Sequence, residues 1–178
     1  SPRGSHYKPM HRSGRQAFPL AFEDARGFSC GLAAVKLDNK WGYIDKVGNL
    51  AISNRYDLAM PFASDVAHVC LKKKWGMIDK TGKYLVEPRY DKMAEFHTEG
   101  LSAVCNTGAW SFVDIHGTVK VPGQFSQARN FSEGMASVTV NGKVGYIDHA
   151  GKFVVLPIFT TARDFSEGLA AVEVGGRW

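Results

Sequence analysis

Residues 40–48 read K-W-G-Y-I-D-K-V-G, and residues 74–82 read K-W-G-M-I-D-K-T-G. The frame returns in altered form at 109–117 (A-W-S-F-V-D-I-H-G) and 143–151 (K-V-G-Y-I-D-H-A-G). Asp45, Asp79, Asp114 and Asp148 lie 34, 35 and 34 residues apart, and Gly48, Gly82, Gly117 and Gly151 keep those intervals. So do Phe28, Phe62, Phe96, Phe131 and Phe165, with one inserted residue between Phe96 and Gly100. A fixed period in the range of about 20–50 residues marks a modular array, so repetition decides the fold.

Each unit reads as strands and turns. It opens on an aromatic-x-x-Ala-x-x-Phe stretch: Phe22-Ala25-Phe28, Tyr56-Ala59-Phe62, Phe125-Ala128-Phe131 and Phe159-Ala162-Phe165, with Met93 for the alanine in the third copy. Spacing by three predicts a single helical or 3₁₀ turn. Pro88, Pro157 and, one place earlier, Pro122 lie just upstream and are expected to end the preceding strand. A turn follows, closed by Gly31, Gly100, Gly134 or Gly168, with Asp65 in the second copy. All tolerate a left-handed backbone. Next comes a strand whose one face carries a small residue and then valine, as in Ala33 and Val35 or Ala136 and Val138.

Two residues then turn the chain: Asp38-Asn39, Lys72-Lys73, Thr107-Gly108, Asn141-Gly142 and Gly175-Gly176. Four of these pairs readily take positive φ. Lys72-Lys73 does not, and predicts strain or a wider turn. The quoted motif is the second strand, apolar on both faces. Its Asp and final Gly suit a type I turn in which the carboxylate accepts backbone N–H groups. A third strand completes a three-stranded antiparallel meander.

These residues resemble the WG-repeat family, whose units run aromatic-D-x-A-x-x-F-x-x-G-L-A-x-V, a hairpin, then K-W-G-Y-I-D-x-x-G. The resemblance covers residues 22–178. Ser111 replaces the motif glycine, Val144 its tryptophan and Asp65 the turn glycine. The resemblance implies a bacterial origin and an interaction role with no assigned ligand.

The fold class is all-β: an array of ~34-residue three-stranded repeats at about 22–55, 56–89, 90–124 and 125–158, with a partial copy at 159–178. Together they form a repeat domain from 17 to 178. An open, twisted, solenoid-like stack is favoured, because propeller blades usually have four strands and about 40 or more residues. Closure into a β-propeller is the alternative. The last residues, Arg177-Trp178, stand where a fifth motif should begin, which reads as a truncated array.

The 178 residues are 44% apolar and 22% charged, as in an ordinary globular protein. No apolar run approaches the ~18 residues of a membrane span. The net charge of +5 is local. Residues 1–16 hold Arg3, Lys8, Arg12 and Arg15 and no acid, leaving 18 basic against 17 acidic residues in the body. The basic tail reads as a flexible leader or tag remnant, so no nucleic-acid partner is expected. Cys30, Cys70 and Cys105 are too few for a disulfide scaffold, which leans toward a reducing, cytoplasmic setting.

Chemistry finds little purchase. The four repeated aspartates supply one carboxylate per unit and read as turn caps rather than calcium ligands. His68 and Cys70 share a strand face, but zinc needs three or four ligands, and His97 and His116 have no fixed relation to them. Neither a G-x-S-x-G elbow nor a phosphate-binding Gly-rich loop occurs, and Lys72-Lys73-Lys74 reads as a solvated hairpin tip. No enzyme, cofactor or metal is expected. Trp41, Trp75 and Trp110 read as core, although flat rings also suit sugars. Trp110, in the copy without the glycine, is the one candidate binding residue. The leading expectation is a non-catalytic scaffold binding a protein or another polymer through residues that differ between copies. A carbohydrate or cell-envelope module using exposed aromatics is the alternative, and an appendage of an enzyme lying outside these residues comes third. Buried motif rings with Lys36, His68 and Glu173 facing water would favour the first, and two exposed rings in one groove the second.

Overall fold

The computed structural model describes residues 22–94 and 99–178; the basic tail, Phe96 and His97 lie outside them. Every described element is a strand. The first sheet holds β1 (Asp24–Ala25), β2 (Ala33–Leu37), β3 (Lys40–Ile44) and β4 (Leu50–Tyr56). The second holds β5 (Leu58–Ala59), β6 (Ala67–Leu71), β7 (Lys74–Ile78) and β8 (Tyr84–Tyr90). The third holds β9 (Lys92–Met93), β10 (Ser102–Asn106), β11 (Ala109–Val113) and β12 (Val119–Phe125). The fourth holds β13 (Gln127–Ala128), β14 (Ala136–Val140), β15 (Lys143–Ile147) and β16 (Phe153–Phe159). β17 (Thr161–Ala162) and β18 (Val172–Glu173) begin a fifth. Strand order follows the chain in each, and none closes into a barrel.

Each meander thus has four strands, not three, and the extra strand replaces the expected helical turn. After Tyr56 the chain leaves one sheet and enters the next. Asp57 and Met60 donate their N–H groups to the carbonyls of Cys70 and His68, at 2.8 and 2.9 Å, instead of to residues three or four back. Tyr56, Ala59 and Phe62 still meet in one core, because the crossover brings both sheets to it. The strand-number argument against a propeller blade therefore falls, and the all-β array of ~34-residue repeats stands.

The described residues form two compact units, one ending at Arg89 and the other starting at Tyr90. In the first, Ala34, Trp41, Tyr43, Ile52 and Tyr56 of one sheet pack on Ala59, Phe62, Ala67, Val69 and Ile78 of the next. In the second, Ala103, Phe112, Val121 and Phe125 pack likewise on Ala128, Phe131, Ala136, Val138 and Ile147. The small-then-valine face is thus the one that receives the preceding sheet.

Polar stitches fix the stacking. Tyr43 Oη donates to the Met60 carbonyl at 2.7 Å and Tyr146 Oη to that of Arg163 at 2.6 Å. Ser132 Oγ donates to the Phe165 carbonyl at 2.8 Å, and the Glu133 carboxylate accepts the N–H groups of Glu167 and Gly168.

The prolines do not end strands. Pro88 and Pro157 lie inside β8 and β16, and Pro122 inside β12. The fourth strand bulges: Trp41 faces Tyr56 while Tyr43 faces Ile52, so three residues, Ser53 to Arg55, stand opposite Gly42. A bulge leaves N–H groups out of the ladder, so proline fits there.

Lys72-Lys73 forms the same tight turn as its relatives and is not wider, since Leu71 pairs with Lys74. Both lysines take positive φ, 51° and 63°. The Asp57 carboxylate accepts the Lys72 N–H at 2.7 Å, and Glu23 and Asp91 do the same for Asn39 and Thr107. Replacing Lys72-Lys73 by Asn-Gly is expected to raise stability by about 1 kcal/mol, since both residues accept positive φ. A lower urea midpoint for that variant would contradict this account of the turn.

Candidate functional site

The repeated aspartates act as turn caps. One oxygen of Asp45 accepts the N–H groups of Val47 and Asn49, at 3.0 and 2.9 Å. Asp79, Asp114 and Asp148 bridge the equivalent pairs at 2.8–3.1 Å. Hydrogen bonds from the Thr81 hydroxyl and N–H hold the Asp79 carboxyl below its usual range. A depressed folded pKa contributes stability that is present above the unfolded value of about 3.9 and lost as pH falls through the folded value. Asp79→Asn should therefore flatten the fall in melting temperature below about pH 4. An unchanged slope would remove Asp79 from the acid response.

The motif tryptophans begin the third strand of each meander. Trp41 is buried in the core, while Trp75 and Trp110 are half-buried. Trp110 packs against the core of the third and fourth sheets and pairs with Phe125 as Trp41 pairs with Tyr56, so its register is the ordinary one.

The following glycine explains why. A Cβ on Gly42, Gly76 or Gly145 would stand 2.5–2.6 Å from a carbonyl oxygen of the bulged strand opposite. In the third copy Ser111 carries a Cβ, and Gly123 occupies the bulge position held elsewhere by Asn54, Pro88 and Pro157. A Cβ on Gly123 would meet the Ser111 Cβ at 3.5 Å, ordinary contact. The residue without a side chain has changed strands.

Other candidates scatter. His68 and Cys70 are buried, against the expectation that His68 faces water, because both faces of β6 are covered. Lys36 and Glu173 are half-buried, and Lys36 pairs with Glu23 at 3.7 Å. Cys30, Cys70 and Cys105 are free thiols, and burial pushes the Cys70 thiol up. Among the described residues no three His, Cys, Asp or Glu side chains converge on a metal position.

Two features of the fourth sheet stand apart. Val154, Leu156 and Ile158 project from one side of β16 with exposures of 57%, 67% and 61%. Their counterparts are Ala51, Ser53 and Arg55, then Leu85, Glu87 and Arg89, then Lys120, Pro122 and Gln124. The second feature is a cavity of about 340 Å³ against the same sheet, floored by Ala128, Val144 and Ala162. Ser137, Thr139, Thr161 and Arg129 are also among its lining residues. Sequence reasoning missed both. The uninterrupted apolar run F-V-V-L-P-I-F of β16 was a legible signal for the first.

The sequence profile described as "WG containing repeat" matches five consecutive segments: 10–41, 41–75, 75–108, 110–143 and 145–178. The chain belongs to the WG-repeat family. Among solved structures a similar one is "Crystal structure of HIRA(644-1017)", with 15% sequence identity and a TM-score of 0.41. The match covers 76% of this chain and 48% of that one, so this chain spans about half its length. No curated protein matches. As a WG-repeat protein, the chain shares with its own copies the tryptophan, glycine and turn aspartate, which pack, approach backbone and cap turns respectively. The Val144 cavity and the β16 stripe fall where the fourth copy departs from the others. Among the described residues no helix is long and apolar enough to cross a membrane.

Proposed function

We propose that this chain is a non-catalytic WG-repeat scaffold that binds another protein, with the β16 stripe as a principal contact. The observation that carries this reading is the exposed row Val154, Leu156 and Ile158, at positions where the other copies are mostly polar or charged. Contiguous exposed apolar side chains on a soluble surface mark interaction sites. Removing such a row from water favours association at roughly 25 cal/mol per Å² of apolar area. The carbohydrate alternative needs two motif rings open to solvent in one groove, whereas Trp41 is buried, Trp75 and Trp110 are half-buried, and of the four only Trp178 is exposed.

The test places a photo-cross-linking residue at position 156 of the full-length protein in its native cells, with position 87 as control. A discrete adduct with one protein is expected from position 156 alone, abolished by Val154→Ser with Ile158→Ser while melting is unchanged. Equal labelling from both positions would overturn the reading. So would saturable glycan binding that Trp110→Ala abolishes.

A further inference from the structure

The cavity of the fourth sheet lies where other copies of the repeat put an indole. In the first copy the Arg26 guanidinium stacks over the Trp41 ring, 5.2 Å from its centroid. In the partial fifth copy Arg163 stacks over Trp178 at 5.4 Å. Arginine and tryptophan are 15 residues apart in both pairs, and the fourth copy has Arg129 and Val144 at the same interval. The backbone there is unchanged. Val144 pairs with Thr139 and Phe159, as Trp41 pairs with Lys36 and Tyr56. Only the ring is missing, and the cavity contains Val144, Thr139 and Arg129 in its walls.

We propose that this cavity is a receptor for an indole side chain presented by a partner protein. The guest ring takes the place that Trp41 and Trp178 hold against their arginines. The proposal rests on the protein-interaction reading and supplies the partner's anchor. A cationic guanidinium over one ring face favours an electron-rich aromatic over an aliphatic guest. Arg129 also has a carboxylate, Asp164, at 3.8 Å, an exposed pair that leaves the guanidinium its charge. The floor of alanine and valine suits the ring's apolar body, while hydroxyls at Ser137, Thr139 and Thr161 offer acceptors to its N–H. A cavity of this size falls within the range of sites that enclose a small guest. Aromatic side chains seated in pockets dominate the energetics of many protein interfaces.

The probe is the capped tripeptide acetyl-Gly-Trp-Gly-amide, titrated into the full chain and followed through the Val144 methyl and Thr139 amide resonances. Saturable shifts are expected, with an affinity on the order of 1 mM for a lone ring. Acetyl-Gly-Leu-Gly-amide should give none. Val144→Trp should abolish the response by filling the cavity from within, without lowering the melting temperature. Arg129→Gln should weaken it at least fivefold. Absence of shifts up to the solubility limit, or shifts that persist in Val144→Trp, would overturn the proposal. Tighter binding of free tryptophan than of the tripeptide would also overturn it, in favour of a small-molecule site. If the tripeptide fails while the position-156 adduct still forms, the cavity proposal alone falls. Loss of the adduct with tripeptide shifts retained would remove the stripe reading instead.

Discussion

Gly76→Ser should cost about 3 kcal/mol of stability, visible as a lower urea midpoint with an unchanged slope. A Cβ at Gly76 would stand 2.5 Å from the Val86 carbonyl oxygen and 2.8 Å from the Pro88 nitrogen. Both are backbone atoms, so no side-chain rotation relieves the overlap. The strand pair would have to open at the bulge, and β7 is buried at Gly76, Met77 and Ile78. Overpacking of a buried site typically costs about 1–3 kcal/mol, and a clash with backbone belongs at the upper end. A midpoint equal to that of the parent would mean that the two strands do not approach as described.

Tyr43→Ala should be as severe, at roughly 4 kcal/mol. The ring is fully buried, edge-on to Phe62 with centroids 4.9 Å apart, and its hydroxyl reaches the Met60 carbonyl in the next sheet. Burial pushes its phenol well up, so the hydroxyl stays a donor across the ordinary pH range. Tyr43→Phe separates the two contributions. It keeps the ring and removes the stitch, and should cost about 1 kcal/mol. Equal losses in the two variants would show that the hydroxyl, not the ring, holds these sheets together.

The turn chemistry was legible because Asp, Gly and Asn announce special backbone conformations directly. Gly82 and Gly151 have φ of 82° and 77°, and Asp65 substitutes for glycine at 67°. The first strand of each meander was not legible, because two residues such as Leu58 and Ala59 cannot display an alternating pattern. Its aromatic neighbours, three apart, imitate a helical turn while serving two sheets. The bulges were hidden for a related reason: a proline inside a strand looks like its end unless the missing ladder bond is known. Of the two expectations for Lys72-Lys73, the strained backbone is present and the wider turn is not, because the carboxylate that caps the tight turn, Asp57, lies 15 residues earlier. The candidate site was legible only in part. Trp110 is the ring beside a lost glycine, yet its register against Phe125 is the ordinary one. The informative departure was Val144, and its signal was the 15-residue spacing to an arginine whose counterparts stack on tryptophan.

The glycine of the Trp-Gly motif lets two strands approach, because a Cβ there would meet the carbonyl of the bulged strand opposite. A double-mutant cycle moves the solution of the third copy into the second. Gly76→Ser alone should lose about 3 kcal/mol, and Pro88→Gly alone about 1 kcal/mol from added chain entropy. The two together recreate the Ser111–Gly123 pairing, in which glycine frees the φ that proline fixes and lets the bulged backbone move off the new Cβ, so their combined loss should fall at least 1 kcal/mol short of the sum. Additive losses in the urea midpoints would contradict the account, because the glycine would then serve some purpose other than making room for the strand opposite.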